Sequence, residues 1–548
     1  MFKRFQIEAL TVSAILAFFI LFFWPATLAG RFFVSGDALV YSYPMRSVMW
    51  EMIRHGQLPL WTPTLLGGYP LLAMAQLAVA YPLTWGYAVL SGHAAEQVYV
   101  LAPFLLAPIF TYVYARQIGR SRLASLLAGL TFGYGGLMAS RIATYGFLPN
   151  SVMWLPLVLT AIERARTKPF GSGLLWMTLA YAMSVLTGLG QGFLYVGIIT
   201  LAYAALLTFV VPPLGGSVVS GQFRLKAGRR TFAPFIVCLC GMALAVCLSA
   251  FQILPTMQTQ RQSIRSKLSY EMFSGGGFTI AEASQSFLSP FYHYLETETF
   301  VVGLAALMAL VAIASLFNRD NRKARLMFWL VLAIVGFLLM LGDNTPLYRW
   351  LYHVPVLNLF RAPSRHAFEW TFALAILAAY GWDQIAERAR PFRTQPISLF
   401  LSAALTIAML AIGYGWWAAT GKPPIPGAML QHTGLSEHAW LLWKAAFTAV
   451  VVLGTWWNLR LVNQRWRGAF LALTIAAACF VEPYILMQRW WFGFAKPASY
   501  FTQLSAPTKF LQQFKREETR VYTSLTPGYT FDLPRTEPHN LSARRGLH

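Results

Sequence analysis

The chain has 548 residues, of which 57% are hydrophobic and only 11% are charged, and its net charge at pH 7 is +23. This composition excludes an ordinary soluble globular protein and predicts a polytopic membrane protein. A strongly basic chain can also bind nucleic acid. We predict no nucleic-acid partner, because the positive charges alternate between turns in the way that membrane topology signals do.

Apolar runs of membrane-crossing length recur along the chain, and they are continuous rather than alternating. A helix needs roughly 20 such residues to cross about 30 Å of hydrocarbon, and lipid offers the backbone no hydrogen-bond partners. The sequence therefore predicts an all-α polytopic membrane protein with about 13 transmembrane helices. Their predicted spans are residues 8–28, 97–116, 122–140, 147–163, 172–189, 191–212, 231–255, 298–317, 326–341, 366–386, 395–417, 438–457 and 466–488.

Basic residues set the predicted orientation of these helices. Lys3 and Arg4 precede the first span, and every second turn after it is rich in arginine, as in residues 116–122 and 319–325. Turns with an excess of Lys and Arg stay in the cytoplasm, so we predict a cytoplasmic N-terminus. The expected partners of these charges are the anionic headgroups of membrane lipids.

Three loops on the predicted exterior side are long, at residues 30–96, 256–297 and 342–365. We predict a transmembrane domain over residues 1–488 and an exterior C-terminal tail over residues 489–548. The tail is expected to be the start of a truncated exterior domain, with the chain a fragment, or the chain is expected to be a shortened member of its family. No internal repeat is visible in the sequence, which disfavours an inverted-repeat transporter.

The first long loop contains an amphipathic pattern. Apolar residues recur there at helical spacing, and polar residues such as Arg46 fall between them. The apolar set consists of Tyr41, Met45, Val48, Met49, Met52 and Ile53. The pattern predicts an amphipathic helix that lies in the outer membrane interface.

Ionisable side chains are nearly absent from the middle of the predicted spans and gather at their exterior ends. Charged groups at the membrane are costly and usually mark functional sites. A carboxylate at headgroup depth can deprotonate an incoming hydroxyl, and arginines can hold a phosphate through paired hydrogen bonds. A sugar carried on a polyprenyl phosphate suits both groups, and displacement by a single base predicts inversion at the anomeric carbon.

Asp37 is the candidate base, and from spacing alone it is equally well explained as the cap of a helix that begins near residue 38. Arg361, Arg365 and Arg141 are the candidate phosphate-binding residues, and the alternative for each is an anchor at the lipid interface. The other site candidates are Tyr41, Tyr43, Glu298, His366 and Glu369. Glu298 is equally well explained as a carboxylate at a helix start. The histidines and cysteines show no metal-ligand spacing, so we predict no metal and no cofactor.

Three stretches of the sequence resemble one family. They are GDALVYSYPMRSVMWEMIRHGQLPLWTPTLLGGYPLLA from Gly36 to Ala73, the tripeptide Val302-Gly-Leu304 after Glu298, and LNLFRAPSRHAFEWTFALAILAAYGWD from Leu357 to Asp383. These stretches resemble the YfhO-like bacterial membrane proteins, and the likeness extends over nearly the whole chain. The resemblance implies a GT-C type glycosyltransferase, a multi-helix membrane fold with an acidic catalytic residue in the first exterior loop.

By this resemblance Asp37 matches the catalytic acid, the donor is a polyprenyl-phosphate sugar, and the acceptor is an envelope polymer such as a teichoic acid or another exported glycan. The implied location is the bacterial cytoplasmic membrane, with the active site facing the exterior or periplasm. Many GT-C enzymes carry a second acid between the third and fourth helices. The corresponding turn here, residues 141–147, contains no acid, which disfavours a mechanism with two carboxylates.

Two other functions fit the same sequence. A transporter or flippase of lipid-linked glycans would share a site at headgroup depth but would carry out no chemistry. A non-catalytic scaffold of an envelope-synthesis complex is the third possibility.

Overall fold

The structure is a computed structural model that describes residues 2–34, 38–63, 68–141, 146–211, 232–263, 266, 268–280, 283, 301–317, 323–388, 446–447, 449–451, 453–455, 457, 464–490, 495–502 and 513. Helices make up most of this part of the chain, and the one sheet found in it is a short pair of antiparallel strands.

The helices are α1 (Phe2–Phe22), α2 (Trp24–Thr27), α3 (Tyr43–Arg54), α4 (Gly92–Gln117), α5 (Arg122–Tyr134), α6 (Gly136–Ser140), α7 (Phe147–Val152), α8 (Leu155–Ala165), α9 (Leu174–Leu186), α10 (Gly190–Phe209), α11 (Ala233–Leu248), α12 (Ala250–Arg261), α13 (Tyr270–Ser274), α14 (Gly303–Ala314), α15 (Lys323–Met340), α16 (Pro346–Tyr352), α17 (Ala367–Arg388), α18 (Gln464–Trp490) and α19 (Ala498–Thr502). Single turns of 3₁₀ or π helix lie at Ala38–Ser42, Ala75–Leu77, Pro82–Ala88, Pro169–Gly173, Ser315–Phe317, Gly342–Asn344, Leu357–Leu359 and Pro363–His366.

Each predicted span within the described residues coincides with one helix or with two consecutive helices. Five helices in this part of the chain are long and apolar enough to cross a membrane alone, and a bent pair of helices brings the number to six. The predicted spans 395–417 and 438–457 lie wholly or partly outside the described residues. The protein is therefore an all-α multi-pass membrane protein, as predicted, while the number of 13 helices stays a prediction.

The predicted span 231–255 is wrong at its end. Helix α11 stops at Leu248, and α12 continues from it at an angle of 74°. The side chain of Gln252 donates to the carbonyl oxygen of Leu72 at 2.5 Å, and that of Thr256 donates to the carbonyl oxygen of Ala73 at 2.9 Å. These hydrogen bonds tie α12 to the first loop, so the helix turns away from the axis of α11.

Helix α17 forms the centre of the bundle. It packs against α5, α14 and α15, and nearly all of its residues from Ala367 to Asp383 are buried. The backbones approach closely where small residues meet, as is usual between membrane helices. A Cβ atom at Gly381 would lie only 1.8 Å from the carbonyl oxygen of Met308 in α14.

Ion pairs between helices gather at one end of the bundle, which we call the basic end. The pairs are Glu8–Arg116 (3.1 Å), Glu8–Arg122 (3.2 Å), Arg120–Asp383 (3.4 Å) and Glu163–Arg325 (3.0 Å). They join the start of α1, the turn between α4 and α5, the end of α8, the start of α15 and the end of α17. The alternating basic turns of the sequence predict this arrangement, and the opposite end of the bundle, which we call the loop end, carries the first loop.

The first loop folds around an apolar core of its own. This core contains Val34, Ala38, Leu39, Tyr43, Met45, Met49, Trp50, Leu71, Leu77 and Tyr87. The predicted amphipathic helix is present as α3. Its first turns are buried, however, and Arg46, which the pattern places on the polar face, has no exposed surface.

The chain returns to the first loop after α18. Strand β1 (Arg31–Phe32) pairs with strand β2 (Lys496–Pro497) in antiparallel register. The ring of Phe501 in α19 lies 5.9 Å from that of Tyr43 and stacks on His93 at 5.4 Å. Residues 495–502 of the predicted tail therefore pack on the first loop.

The close contact between α14 and α17 predicts that a methyl group added at Gly381 lowers the stability of the protein. Gly381→Ala should lower the free energy of unfolding by about 1–3 kcal/mol, because the added Cβ forces the two helices apart. Thermal unfolding of the purified protein in detergent measures the effect.

Gly468→Ala in α18 is the matched control, because nothing lies within 4 Å of its Cβ position. Alanine is the better helix former, so this variant should be neutral or slightly more stable. Equal melting temperatures for the two variants would contradict the close packing of α17 on α14.

Candidate active site

The two predicted carboxylates Asp37 and Glu298 lie outside the described residues. Val34 and Ala38 are both buried in the core of the first loop.

A buried ion pair joins the first loop to α4. Arg46 of α3 donates from Nη1 to both carboxylate oxygens of Glu96, at 2.9 and 2.8 Å. The exposed fractions of the two side chains are 0% and 1%. Glu96 also accepts from the hydroxyl of Ser42 at 2.8 Å and from that of Tyr87 at 2.6 Å. The carboxylate thus holds two segments of the first loop, the helical stretch with Ser42 and Arg46 and the turn with Tyr87.

The guanidinium of Arg46 has partners on its remaining sides. Nε donates to the carbonyl oxygen of Leu77 at 3.2 Å, and Nη2 donates to that of Gln76 at 3.1 Å. Its carbon Cζ lies 3.7 Å from the ring centre of Tyr99. Burial alone lowers the pKa of Arg46, but the nearby Glu96 outweighs it and the pKa is raised above the ordinary value. Arg46 is therefore a charged structural group.

A second polar cluster lies where α10 meets the start of α17. Arg365 donates from Nη1 to the amide oxygen of Gln191 at 2.5 Å. The amide nitrogen of Gln191 lies 2.9 Å from the hydroxyl of Tyr195, which lies 3.1 Å from Nε2 of His366. Nδ1 of His366 lies 3.0 Å from Oε1 of Glu369. The structure therefore brings the predicted residues Arg365, His366 and Glu369 together with two residues of α10.

The loop before α17 has a strained backbone. Val356 has a φ of 74° and Ala362 a φ of 68°, both in the left-handed region that L-residues other than glycine seldom adopt. The side chain of Arg361 is exposed, and its carbonyl oxygen accepts from the amide nitrogen of Gln191 at 3.1 Å. Strained backbone of this kind clusters at ligand-binding sites.

One backbone contact connects the two clusters. Gly188, with a φ of +76°, lies so close to the turn Ala75–Leu77 that a Cβ atom there would be 1.8 Å from the carbonyl oxygen of Ala75. The next residue of that turn, Gln76, accepts from Arg46. Gln191 follows Gly188 by three residues. The Arg46 pair and the Arg365 cluster therefore lie on either side of one tightly packed contact at the loop end.

The other predicted residues occupy different surroundings. Arg141 is buried at the end of α6, which packs against α5 and α17. Tyr41 is half-buried and shares a side-chain hydrogen bond with Tyr69. Tyr43 is completely buried in the loop core. In the described part of the chain no group of His, Cys, Asp and Glu could hold a metal ion.

The burial of the Arg46–Glu96 pair predicts that Glu96→Gln destabilises the protein much more than a similar substitution at an exposed ion pair does. Glu96→Gln should lower the free energy of unfolding by about 3–5 kcal/mol, because it leaves a buried guanidinium without its counter-charge. Chemical unfolding of the purified protein, together with proteolysis of the first loop, measures the loss.

Glu51→Gln on the same loop is the control. Glu51 pairs with Arg54 at 3.5 Å, but its side chain is 58% exposed, so its loss should cost less than about 1 kcal/mol. Similar losses for the two variants would show that the buried pair does not stabilise the loop.

Comparisons with known proteins give a fold but no family. No family model matches the sequence, and no curated protein matches it. The crystal structure of ArnT from Cupriavidus metallidurans bound to undecaprenyl phosphate is similar, with a TM-score of 0.51 and 14% identity over 98% of this chain and 84% of that chain.

Two further structures are more distant. The arabinofuranosyltransferase AftD from Mycobacteria has a TM-score of 0.43 and 12% identity over 75% of this chain and 27% of that chain. The oligosaccharyltransferase of Archaeoglobus fulgidus has a TM-score of 0.40 and 12% identity over 84% of this chain and 57% of that chain. These two scores are too low to support an argument. The likeness to ArnT shows that the chain shares its membrane fold, and ArnT is of the GT-C type that the family resemblance implies.

Proposed function

We propose that the chain is a membrane glycosyltransferase that moves a sugar from a polyprenyl-phosphate donor to an exported cell-envelope acceptor, a teichoic acid or another glycan. The observation that carries this proposal is the Arg365 cluster, at the loop end of a bundle with the fold of ArnT. The ArnT structure holds undecaprenyl phosphate, and we infer a lipid phosphate of the same class for this chain.

Arg361 and Arg365 supply the positive charge for the donor phosphate. Arg361 is exposed and Arg365 is half-buried, and the amide oxygen of Gln191 accepts from the guanidinium of Arg365 and orients it. A guanidinium can donate to two phosphate oxygens at once, and it stabilises the charge that the phosphate gains when it leaves. We propose Arg141, at the end of α6, as a third phosphate ligand.

Asp37 is the proposed general base. Its carboxylate accepts the proton of the acceptor hydroxyl while the acceptor oxygen forms a bond to the anomeric carbon of the sugar. The bond from that carbon to the phosphate oxygen breaks, and polyprenyl phosphate leaves with the electron pair. A single displacement of this kind inverts the anomeric carbon. The Arg46–Glu96 pair supports this role because it fixes the loop that carries Asp37.

The remaining predicted site residues have separate proposed roles. His366 and Glu369 are buried with Nδ1 and Oε1 3.0 Å apart, and their proposed role is to support the Arg365 cluster. Tyr41 and Glu298 stay predicted site residues. Tyr43 contributes to the packing of the first loop.

We also propose the bacterial cytoplasmic membrane as the location, with a cytoplasmic N-terminus and the active site on the exterior or periplasmic side. The basic end of the bundle supports this orientation, because arginine-rich turns stay on the cytoplasmic side.

Asp37→Asn tests the proposed base, because it nearly preserves the shape of the side chain and removes its basicity. The variant should bind the donor as the native protein does, and transfer should fall by about 10²–10⁴-fold. Release of polyprenyl phosphate from a polyprenyl-phosphate sugar in the presence of acceptor measures transfer. Full turnover by the variant would rule out Asp37 as the base, and a native protein that moves glycolipid across vesicles without transferring sugar would indicate a flippase.

Arg365→Ala tests the proposed phosphate contact. Loss of a hydrogen bond to a charged group should weaken the binding of polyprenyl phosphate by about 10- to 100-fold, and Arg361→Ala should weaken it less. Arg349→Ala is the matched control, because this arginine is exposed and pairs with Asp343 at 3.5 Å. If all three variants and the native protein bind polyprenyl phosphate with equal affinity, Arg361 and Arg365 are interface anchors and not phosphate ligands.

A further inference from the structure

The Arg365 cluster is a continuous chain of hydrogen bonds across two helices. It begins at Nη1 of Arg365 and passes through the amide of Gln191, the hydroxyl of Tyr195 and the imidazole of His366. It ends on the carboxylate of Glu369. The four donor–acceptor distances along it are 2.5, 2.9, 3.1 and 3.0 Å.

Chemistry fixes the direction of the bonds that Gln191 makes in this chain. An arginine only donates and a backbone carbonyl only accepts, so the amide oxygen of Gln191 faces Arg365 and its nitrogen faces the carbonyl of Arg361. The second hydrogen on that nitrogen then goes to the oxygen of Tyr195.

The hydroxyl of Tyr195 lies 3.1 Å from Nε2 of His366, and Nδ1 of His366 lies 3.0 Å from Oε1 of Glu369. Gln191, Tyr195 and His366 each have two partners along the chain, so the orientation of each side chain depends on its two neighbours.

Burial makes the chain rigid. Gln191 is 1% exposed, and Tyr195, His366 and Glu369 are each 5% exposed. The rings of Tyr195 and His366 stack with centroids 4.4 Å apart, and the ring of Tyr348 meets the imidazole edge-on at 6.2 Å. Water cannot readily replace the partners of buried groups, so a broken link leaves unpaired atoms rather than hydrated ones.

We propose that Gln191 and Tyr195 of α10 are positioning residues that fix the guanidinium of Arg365 for binding the phosphate of the lipid donor. This inference rests on the proposed function of the site. A free arginine side chain loses much rotational freedom when it binds a phosphate, and prior immobilisation reduces that loss.

Neither residue touches the donor in this account, so both act through Arg365. Residues that act through a third residue lose their effect once that residue is removed, and a double-mutant cycle detects this dependence. A purely structural role for Tyr195 would instead weaken the site by the same factor with or without Arg365.

The test uses the full-length protein in nanodiscs, with undecaprenyl phosphate as the probe and its affinity as the readout. Tyr195→Phe removes one hydroxyl and should weaken binding about tenfold. In the Arg365→Ala background the same substitution should change the affinity less than about twofold. Gln191→Met should behave in the same way. With donor and acceptor present, Tyr195→Phe should raise KM for the donor and also lower kcat, because Arg365 stabilises the charge on the departing phosphate.

Tyr181→Phe is the matched control. Its hydroxyl is also buried and also bonds to α10, at the carbonyl oxygen of Phe193 (3.1 Å), but it takes no part in the chain. This variant should bind the probe as the native protein does. An equal loss for Tyr181→Phe would show a general effect on α10 and would overturn the inference.

Two further outcomes separate this inference from the proposed function. If Tyr195→Phe binds normally, or loses the same factor in both backgrounds, while Arg365→Ala still binds weakly, the positioning role is wrong and the phosphate site stands. If Arg365→Ala binds as tightly as the native protein, the proposed phosphate site itself is wrong, and the inference falls with it.

Discussion

The buried ion pair between Arg46 and Glu96 is the constraint on which the loop end of the molecule depends. Two opposite charges with almost no exposed surface are stable only when every hydrogen-bonding position is used, and here the carboxylate binds Arg46, Ser42 and Tyr87 together. Two segments of the first loop are thereby tied to the first turns of α4. The described part of the loop is a folded unit docked on the bundle.

Two arginines at the loop end differ in the partners that their side chains bind. Arg46 is matched by a carboxylate, so its charge serves the fold. Arg365 donates to the amide oxygen of Gln191, which directs the guanidinium. The backbone contact between Gly188 and Ala75 joins the surroundings of the two residues. The Arg46 pair and the Arg365 cluster therefore lie close together at the loop end.

Much of the fold was predictable from the sequence, because the lack of hydrogen-bond partners in lipid forces long apolar helices and puts arginines at their ends. The bend after Leu248 was not predictable, since it depends on hydrogen bonds from α12 to carbonyls of residues far away in the chain. The helical spacing that correctly predicts α3 also places Arg46 on a polar face. The spacing contains no information about Glu96, the residue that draws Arg46 inside.

The charged residues of the candidate site were predictable from the sequence. Arg365, His366 and Glu369 follow one another within five residues and stood out at the start of an apolar helix, and the structure brings them together. Gln191 and Tyr195 are neutral and occur in an apolar run, so nothing in the sequence distinguishes them from ordinary helix residues. A buried glutamine near a helix start was the one signal that could have indicated them, because it must find partners.

The most direct measurement is an experimental structure of the full-length protein in a nanodisc with bound undecaprenyl phosphate. The account predicts that the phosphate lies within hydrogen-bond distance of the guanidinium of Arg365, at the loop end, while Arg46 stays paired with Glu96. A phosphate bound at the basic end, beside Arg325 and Glu163, or one that displaces Glu96 from Arg46, would contradict it.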